Sequence, residues 1–187
     1  MVRYITHFTV DTPYVQEAAE LRASAAKFDL EILAISFDDS GDWARNAGFK
    51  AQAILNVMMA SAKGDRLVYV DADARFKSDP TAYFEGLDGD FAAHMRAGTE
   101  LLSGTLFFKN TAPAQQLVQD WANQMVGSRA WDQKVLHQVV LSHKPHMYMS
   151  ELDAPYCKIF DSMKGDAVIE HTQASRRHKR TINRRKP

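Results

Sequence analysis

Arg66-Leu67-Val68-Tyr69-Val70-Asp71-Ala72-Asp73 is the stretch on which the reading of this chain turns. Leu67 to Val70 is a continuous apolar run without polar alternation, the pattern of a central strand buried on both faces. It stops abruptly at two carboxylates one residue apart, so the acids lie at a strand's carboxyl end. They cannot both face an apolar core. Where the chain leaves the sheet both can turn to one bound cation, and hard divalent ions take such oxygens. Taken alone, Asp-x-Asp is more often a polar turn after a strand.

The surroundings raise its weight. Upstream, Tyr4–Val10 reads as a strand, followed by Asp11-Thr12-Pro13, which offers an N-cap and a first-turn proline for a helix running to about Lys27. Glu31–Phe37 reads as a second strand, Asp38–Gly48 as a polar loop, and Lys50–Ala62 as a helix ended by Lys63-Gly64-Asp65. Downstream, Phe76-Lys77-Ser78-Asp79-Pro80 is a turn into a short helix. Phe91–Met95 and Thr105–Lys109 read as strands, Pro113–Val126 and Asp132–Ser142 as helices, and Val168–Ile169 as a last short strand. Repeated βα units predict an α/β fold with a mostly parallel central sheet flanked by helices. Ligands in such sheets bind beyond the carboxyl ends of the strands, where Asp71 and Asp73 are expected.

Composition bounds the rest. A chain of 187 residues, 45% of them hydrophobic, suits a single domain, expected over 1–175, with a basic tail at 176–187. That tail, Arg176 to Pro187, carries seven of the 23 Lys and Arg and no acid, so a body at −7 is balanced by a tail at +7. It reads either as a frayed terminus or as a contact to something anionic. No apolar run approaches a membrane span, and no secretory signal is seen. The single cysteine, Cys157, cannot form an internal disulfide and no Cys-x-x-Cys pair exists, so a soluble, cytoplasmic setting is expected.

Gly64-Asp65, then Leu67-Val68-Tyr69-Val70-Asp71-Ala72-Asp73 and Asp79-Pro80, resembles the metal-binding segment of GT-A glycosyltransferases, glycogenin-like enzymes being the nearest comparison. The resemblance implies a Rossmann-like nucleotide-diphospho-sugar transferase fold in minimal form and metal-dependent sugar transfer from a nucleotide donor, a UDP-sugar being favoured. It assigns Asp73 as a direct metal ligand and Asp71 to metal and ribose, with Ala72 among the donor contacts. Thr9-x-x-x-x-Tyr14 resembles the family's uracil corner, which implies base contacts at Thr9, Val10 and Tyr14. Lys50, read as opening its helix, matches a basic residue that reaches the donor's diphosphate or sugar. Leu102-Ser103-Gly104-Thr105 resembles an Asn-x-Gly strand whose small residues let the sugar ring lie against backbone, with Ser103 in the asparagine's place. Trp131-Asp132-Gln133 is similar to an Asp-Gln pair beside the acceptor, making Asp132 the leading catalytic carboxylate.

Val168-Ile169-Glu170-His171 brings His171 to the third metal position. The family's His-x-x-Gly-x-x-Lys is met by His171, Ala174 and Arg177, and its following Pro-Trp is missing. A phosphate clamp is thereby expected at Arg177, with Arg176 or Lys179 as substitutes. Leu152-Asp153-Ala154-Pro155-Tyr156-Cys157 is similar to a Leu-Pro-x-x-Tyr segment preceding that histidine. Each element has an ordinary reading too: a packed tyrosine, a solvated lysine, a glycine bend, a helix cap, a structural histidine. Combination and order carry the resemblance.

Two carboxylates with an imidazole suit Mn2+ better than calcium, with Mg2+ as an alternative. The acceptor is unknown. Arg176-Arg177-His178-Lys179-Arg180 with Arg184-Arg185-Lys186 suggests modified nucleic acid. Asp132, Asp153 and Glu100 are the carboxylates that could deprotonate an acceptor. Rival readings are a haloacid-dehalogenase-type phosphatase, although Ala74-Arg75 follows where that class expects Gly-Thr; a nucleotidyltransferase on the same sheet; and a non-catalytic nucleic-acid-binding protein acting through the tail, whose −7 body argues against a broad nucleic-acid surface.

Overall fold

The computed structural model describes residues 1–183. Strands β1 (Val2–Thr9), β2 (Ile32–Phe37), β3 (Arg66–Val70), β5 (Phe91–Arg96), β6 (Glu100–Lys109) and β7 (Met149–Glu151) form one sheet in the order β2-β1-β3-β6-β5-β7. Only β6 runs against the other five, because β3–β6 and β5–β6 pair antiparallel while the remaining pairs are parallel. Strand β3 is central and Leu67 to Val70 are wholly buried, as the apolar run requires.

Alternation along β1 and β3 divides the core between the two faces. Ile5, Leu67 and Tyr69 pack with α2 (Trp43–Met59), α4 (Ala112–Met125) and α5 (Asp132–His143), through Ile54, Met58, Trp121 and Leu136. Tyr4, Val68 and Val70 pack on the opposite side with α1 (Tyr14–Ala26) and α3 (Thr81–Gly86), through Leu21 and Phe84. The period of two that sends neighbouring side chains to opposite faces thus holds the carboxyl end of β3 between two helical layers.

Three elements depart from expectation. Helix α2 starts at Trp43, inside the stretch read as loop, because the Asp42 side chain accepts from the Ala44 and Arg45 amides and caps it. Gly48 lies within this helix against α4, where a Cβ would sit 2.8 Å from Cε at the flexible end of Met125. Strand β6 starts at Glu100 rather than Thr105, turning from β5 through Ala97 and Gly98, both at positive φ, so Ser103 and Gly104 lie inside a strand. The third departure is a second sheet, β4 (Ala74–Phe76), β9 (Ile169–His171) and β8 (Lys158–Ile159). Its short strands carry too few residues to show a period.

The tail is helical where it is described: α6 spans Ser175–Asn183 and buries Ile182 completely. Buried Glu17 on α1 holds it, accepting from Arg177 Nη2 at 2.8 Å, pairing with His178 Nε2 at 3.0 Å, and also receiving Arg75 Nη2 at 2.8 Å. Lys179 Nζ stands 4.7 Å over the Trp43 ring, the Trp43 amide donates to Asn183 Oδ1 at 2.9 Å, and Arg176 pairs with Asp161. Arg180 is the one basic residue of 176–180 without such a partner among the described residues. Arg184, Arg185 and Lys186, assigned to polyanion binding, lie outside the described residues. No described helix is long and apolar enough to cross a membrane.

Burial opposes charge on Glu17, yet hydrogen bonds from His178, Arg177 and Arg75 outweigh it and hold the carboxyl below its ordinary value of 4.5. The stabilisation is therefore complete above that value and is lost as pH falls through the lowered one. Replacing Glu17 by Ala removes the carboxylate that Arg177 and His178 share, while Arg75 keeps Glu20. Amide exchange in residues 175–183 at neutral pH is expected to accelerate roughly tenfold or more, equal to about 1.4 kcal/mol. Hydrogen-exchange mass spectrometry measures this, and unchanged protection would contradict the anchoring role.

Candidate active site

The chain leaving β3 turns at once. The Asp71 amide donates to the Gly104 carbonyl at 2.8 Å and the Ala74 amide returns to the Asp71 carbonyl at 2.9 Å, after which β4 pairs with β9 and sets Ala74 opposite His171. Asp71, Asp73 and His171 come together this way: one ligand atom of each lies within 4.8 Å of the others. The Asp73 carboxylate is fixed by the Ala174 amide, which donates to Oδ2 at 2.7 Å from the turn after Gln173, itself at positive φ.

His171 is buried, with Nε2 against Thr105 Oγ1 at 2.9 Å. Its Nδ1 has no hydrogen-bond partner and faces Asp73 Oδ1 at 3.6 Å. A buried imidazole nitrogen left unpaired beside two carboxylates is a donor set that fits a divalent cation. Without one, a proton supplies the positive charge. Burial opposes it, but Asp73 and the Cys157 sulfur outweigh burial and lift the imidazole to about 10. Asp73 responds in the opposite sense, held below the ordinary carboxylate value against burial by His171 and the Ala174 amide.

Gly104 explains how the ring fits. A Cβ there would lie 2.9 Å from His171 Cε1 and 3.0 Å from Nδ1. The imidazole therefore packs where a side chain at 104 would lie.

Lys50 also departs from expectation. It sits within α2 rather than opening it and is buried, with Nζ 2.9 Å from both Asp71 Oδ1 and Asp132 Oδ2 and donating to Ser103 O and Oγ at 3.2 and 3.1 Å. Burial disfavours its charge, but Asp132 and Asp71 prevail and raise it above the ordinary lysine value. Burial itself raises Asp71, only partly countered by Lys50. Asp132, buried at the start of α5, also accepts from Ser103 Oγ at 3.3 Å. Lys50 is thus the bridge between one predicted metal ligand and the predicted catalytic acid.

One cavity is lined by the three clustered side chains together with Lys50 and Asp132, and Ala72, Ser103 and Gly104 also line it. Thr9 and Tyr14 line it as well, beside Trp43, whose indole donates to Tyr14 Oη at 3.1 Å. Three predicted donor contacts are not among its lining. The Val10 amide is spent on the Phe37 carbonyl at 2.9 Å, Arg177 is held by Glu17, and Lys179 covers Trp43. Neither Glu100 nor Asp153 lines the cavity. Glu100 pairs with Arg96, and Asp153 is exposed.

Sequence reasoning missed a supporting chain. Tyr69, counted only as buried apolar bulk, donates its hydroxyl to Asp71 Oδ1 at 2.8 Å and meets His7 Nδ1 at the same distance. His7 Nε2 lies 3.1 Å from the Asn46 carbonyl, and burial, then Lys50, lowers its imidazole to about 4. A tyrosine two residues before a turn carboxylate was the available signal.

A family model for nucleotide-diphospho-sugar transferases matches residues 39–176. The chain belongs to this family. Among solved structures, the transferase resembles a glycosyltransferase involved in the glycosylation of the major capsid of PBCV-1, with a TM-score of 0.71 at 12% identity over 97% of this chain and 98% of that one. Mouse xyloside xylosyltransferase 1 follows at 0.62 and 12%, over 94% and 99%. The glycosyltransferase GlyE of Streptococcus pneumoniae TIGR4 superposes at 0.63 and 16%, covering 91% of this chain but 55% of GlyE, so the transferase spans about half of that protein's length. At such identities the likeness shows a shared fold, that of GT-A glycosyltransferases. No curated protein matches the sequence. The family match favours the nucleotide-sugar transferase reading over the phosphatase, nucleotidyltransferase and non-catalytic ones.

In this transferase Gly104→Ala is expected to push the His171 ring off its seat. The overpacking should cost about 1–3 kcal/mol in chemical denaturation and shift the His171 ring resonances while leaving the far-UV spectrum intact. Unmoved imidazole resonances would contradict the close approach.

Proposed function

We propose that the chain transfers a sugar from a UDP-sugar with the help of a divalent cation held by Asp71, Asp73 and His171, Mn2+ with Mg2+ as the alternative. The observation that carries this reading is the unpaired, buried His171 Nδ1 facing Asp73, whose carboxylate the Ala174 amide holds, with Asp71, held by Tyr69 and Lys50, in the same cluster. When bound, the cation would neutralise the diphosphate that leaves the anomeric carbon.

The chain's own residues set the rest. Tyr14, rigid because its hydroxyl is tied to the Trp43 indole, offers a ring for the base, with Thr9 alongside. Lys50 locks Asp71 and Asp132 in one cluster, and Ser103 adds a second hold on Asp132, so the catalytic carboxylate keeps its place without donor. Arg177 and Lys179 are engaged by Glu17 and Trp43, and this reading leaves them to hold α6 rather than clamp phosphate. It treats residues 1–175 as the catalytic domain and 176–187 as its basic extension. Cys157, free and buried, agrees with a cytoplasmic setting.

Thermal unfolding with UDP, GDP or CDP, with and without Mn2+, tests it. UDP and metal together should stabilise the protein by about 2.7 kcal/mol at a hundredfold excess over Kd, well beyond either alone. Asp73→Asn keeps an acceptor for the Ala174 amide but removes the charge, and should weaken metal binding roughly tenfold or more. Equal stabilisation by UDP with and without metal would overturn the cation's role.

A further inference from the structure

Three tryptophans occupy three environments. Trp121 is wholly buried, and Trp43 is committed to Tyr14 and Lys179. Trp131 is 45% exposed, and among the described residues its indole has no hydrogen-bond, cation or ring partner. Its backbone is nonetheless fixed as the cap of α5, with φ −67 and ψ 123 and with its carbonyl accepting from the Lys134 and Val135 amides at 3.0 and 3.2 Å. A large aromatic face is therefore presented on a rigid mount, so ordering it on binding costs little entropy.

The indole stands where two hollows meet. One is the cavity that holds Asp132; the other is bordered by Glu100, Lys134 and His137, and Trp131 and Gln133 line both. Gln133 is already oriented, its Oε1 accepting from the Ser103 amide at 3.3 Å and its Nε2 donating to Glu100 Oε1 at 3.1 Å. Glu100 also takes Arg96. Amide, carboxylate, ammonium and imidazole in so small a space supply donors and acceptors with charges of both signs. A polyanion needs an array of bases, which this surface lacks. A pyranose has what it offers: one face of C–H bonds for an aromatic ring, and a rim of hydroxyls that donate and accept.

We propose that Trp131 is the platform of the acceptor subsite and that the acceptor is a carbohydrate, its terminal pyranose stacked on the indole with hydroxyls on Gln133 and Glu100 and its edge towards Asp132. The inference rests on the transferase reading and names the substrate class of the same site. It sets aside the nucleic-acid acceptor suggested by the basic tail.

The test is protein and ligand NMR on the full chain with UDP and Mg2+ present. The probes are methyl glycosides of glucose, galactose, mannose, xylose and N-acetylglucosamine, with maltose, lactose and a thymidine decanucleotide. At least one sugar should shift the Trp131 indole N–H and show saturation transfer concentrated on the protons of one ring face. Trp131→Ala should weaken its binding roughly tenfold, with Trp131→Phe in between. Because the side chain is half exposed, both variants should melt as the wild type does. Silence from every sugar, wild-type sugar affinity in Trp131→Ala, or an indole shift produced by the oligonucleotide instead would each overturn the proposal. The donor reading is judged separately by the wild-type response to UDP and metal, so sugar binding without that response would sink the donor assignment alone.

Discussion

Three carboxylates, Asp71, Asp73 and Asp132, are gathered at one end of the sheet, and the need to balance their charge governs the architecture around them. Two like charges about 4 Å apart repel by about 4 kcal/mol at an effective dielectric near 20, and burial raises the cost further. Lys50 answers for two of the acids from within α2, and His171 answers for the third. Breaking such a cluster by removing one member is far more damaging than never having built it, because the survivors remain buried without a counter-charge.

The strand pairings deliver these groups. Antiparallel pairing of β3 with β6 sets Val70 opposite Thr105, which puts the Thr105 hydroxyl and the bare backbone of Gly104 beside the departing chain. The β4–β9 pair then lays His171 against them. Gly104 leaves room for the ring, Thr105 sets which nitrogen is occupied, and the remaining nitrogen is turned to the acids. Tyr69 supports Asp71 from the buried side of β3. The site is therefore rigid before any ligand arrives, as electrostatic stabilisation of a leaving group requires.

The basic C-terminal segment takes its meaning from this same economy of charge. Arg177 and His178 meet Glu17, Arg176 meets Asp161, and Lys179 lies over Trp43, so three cationic side chains and an imidazole serve the chain's own acids and aromatics. Helix α6 thereby braces Trp43 and, through it, Tyr14 at one end of the cavity. Trp131, at the opening of α5, is left uncommitted.

Much of this was legible from order along the chain. The apolar run ending in Asp71 and Asp73 located the central strand and its functional end, since burial on both faces leaves no room for polar alternation. Asp132 opens a helix as expected, and His171 is the last residue of the short strand it was expected to follow. The spacing that made Lys50 look like a solvated helix start hid its burial, because a one-dimensional pattern cannot show that a lysine has two carboxylates within reach. Strands of two or three residues have no period to detect, and α6, with Ile182 as its buried contact, is held by partners far away in sequence. The sequence by itself determined the fold class, the family and the residue types of the site, since these follow from local periodicity and motif order. Only the tertiary structure decided which nitrogen of His171 is unpaired, why residue 104 must lack a side chain, and which bases are already spent, since each depends on atoms brought together across many tens of residues by strand pairing.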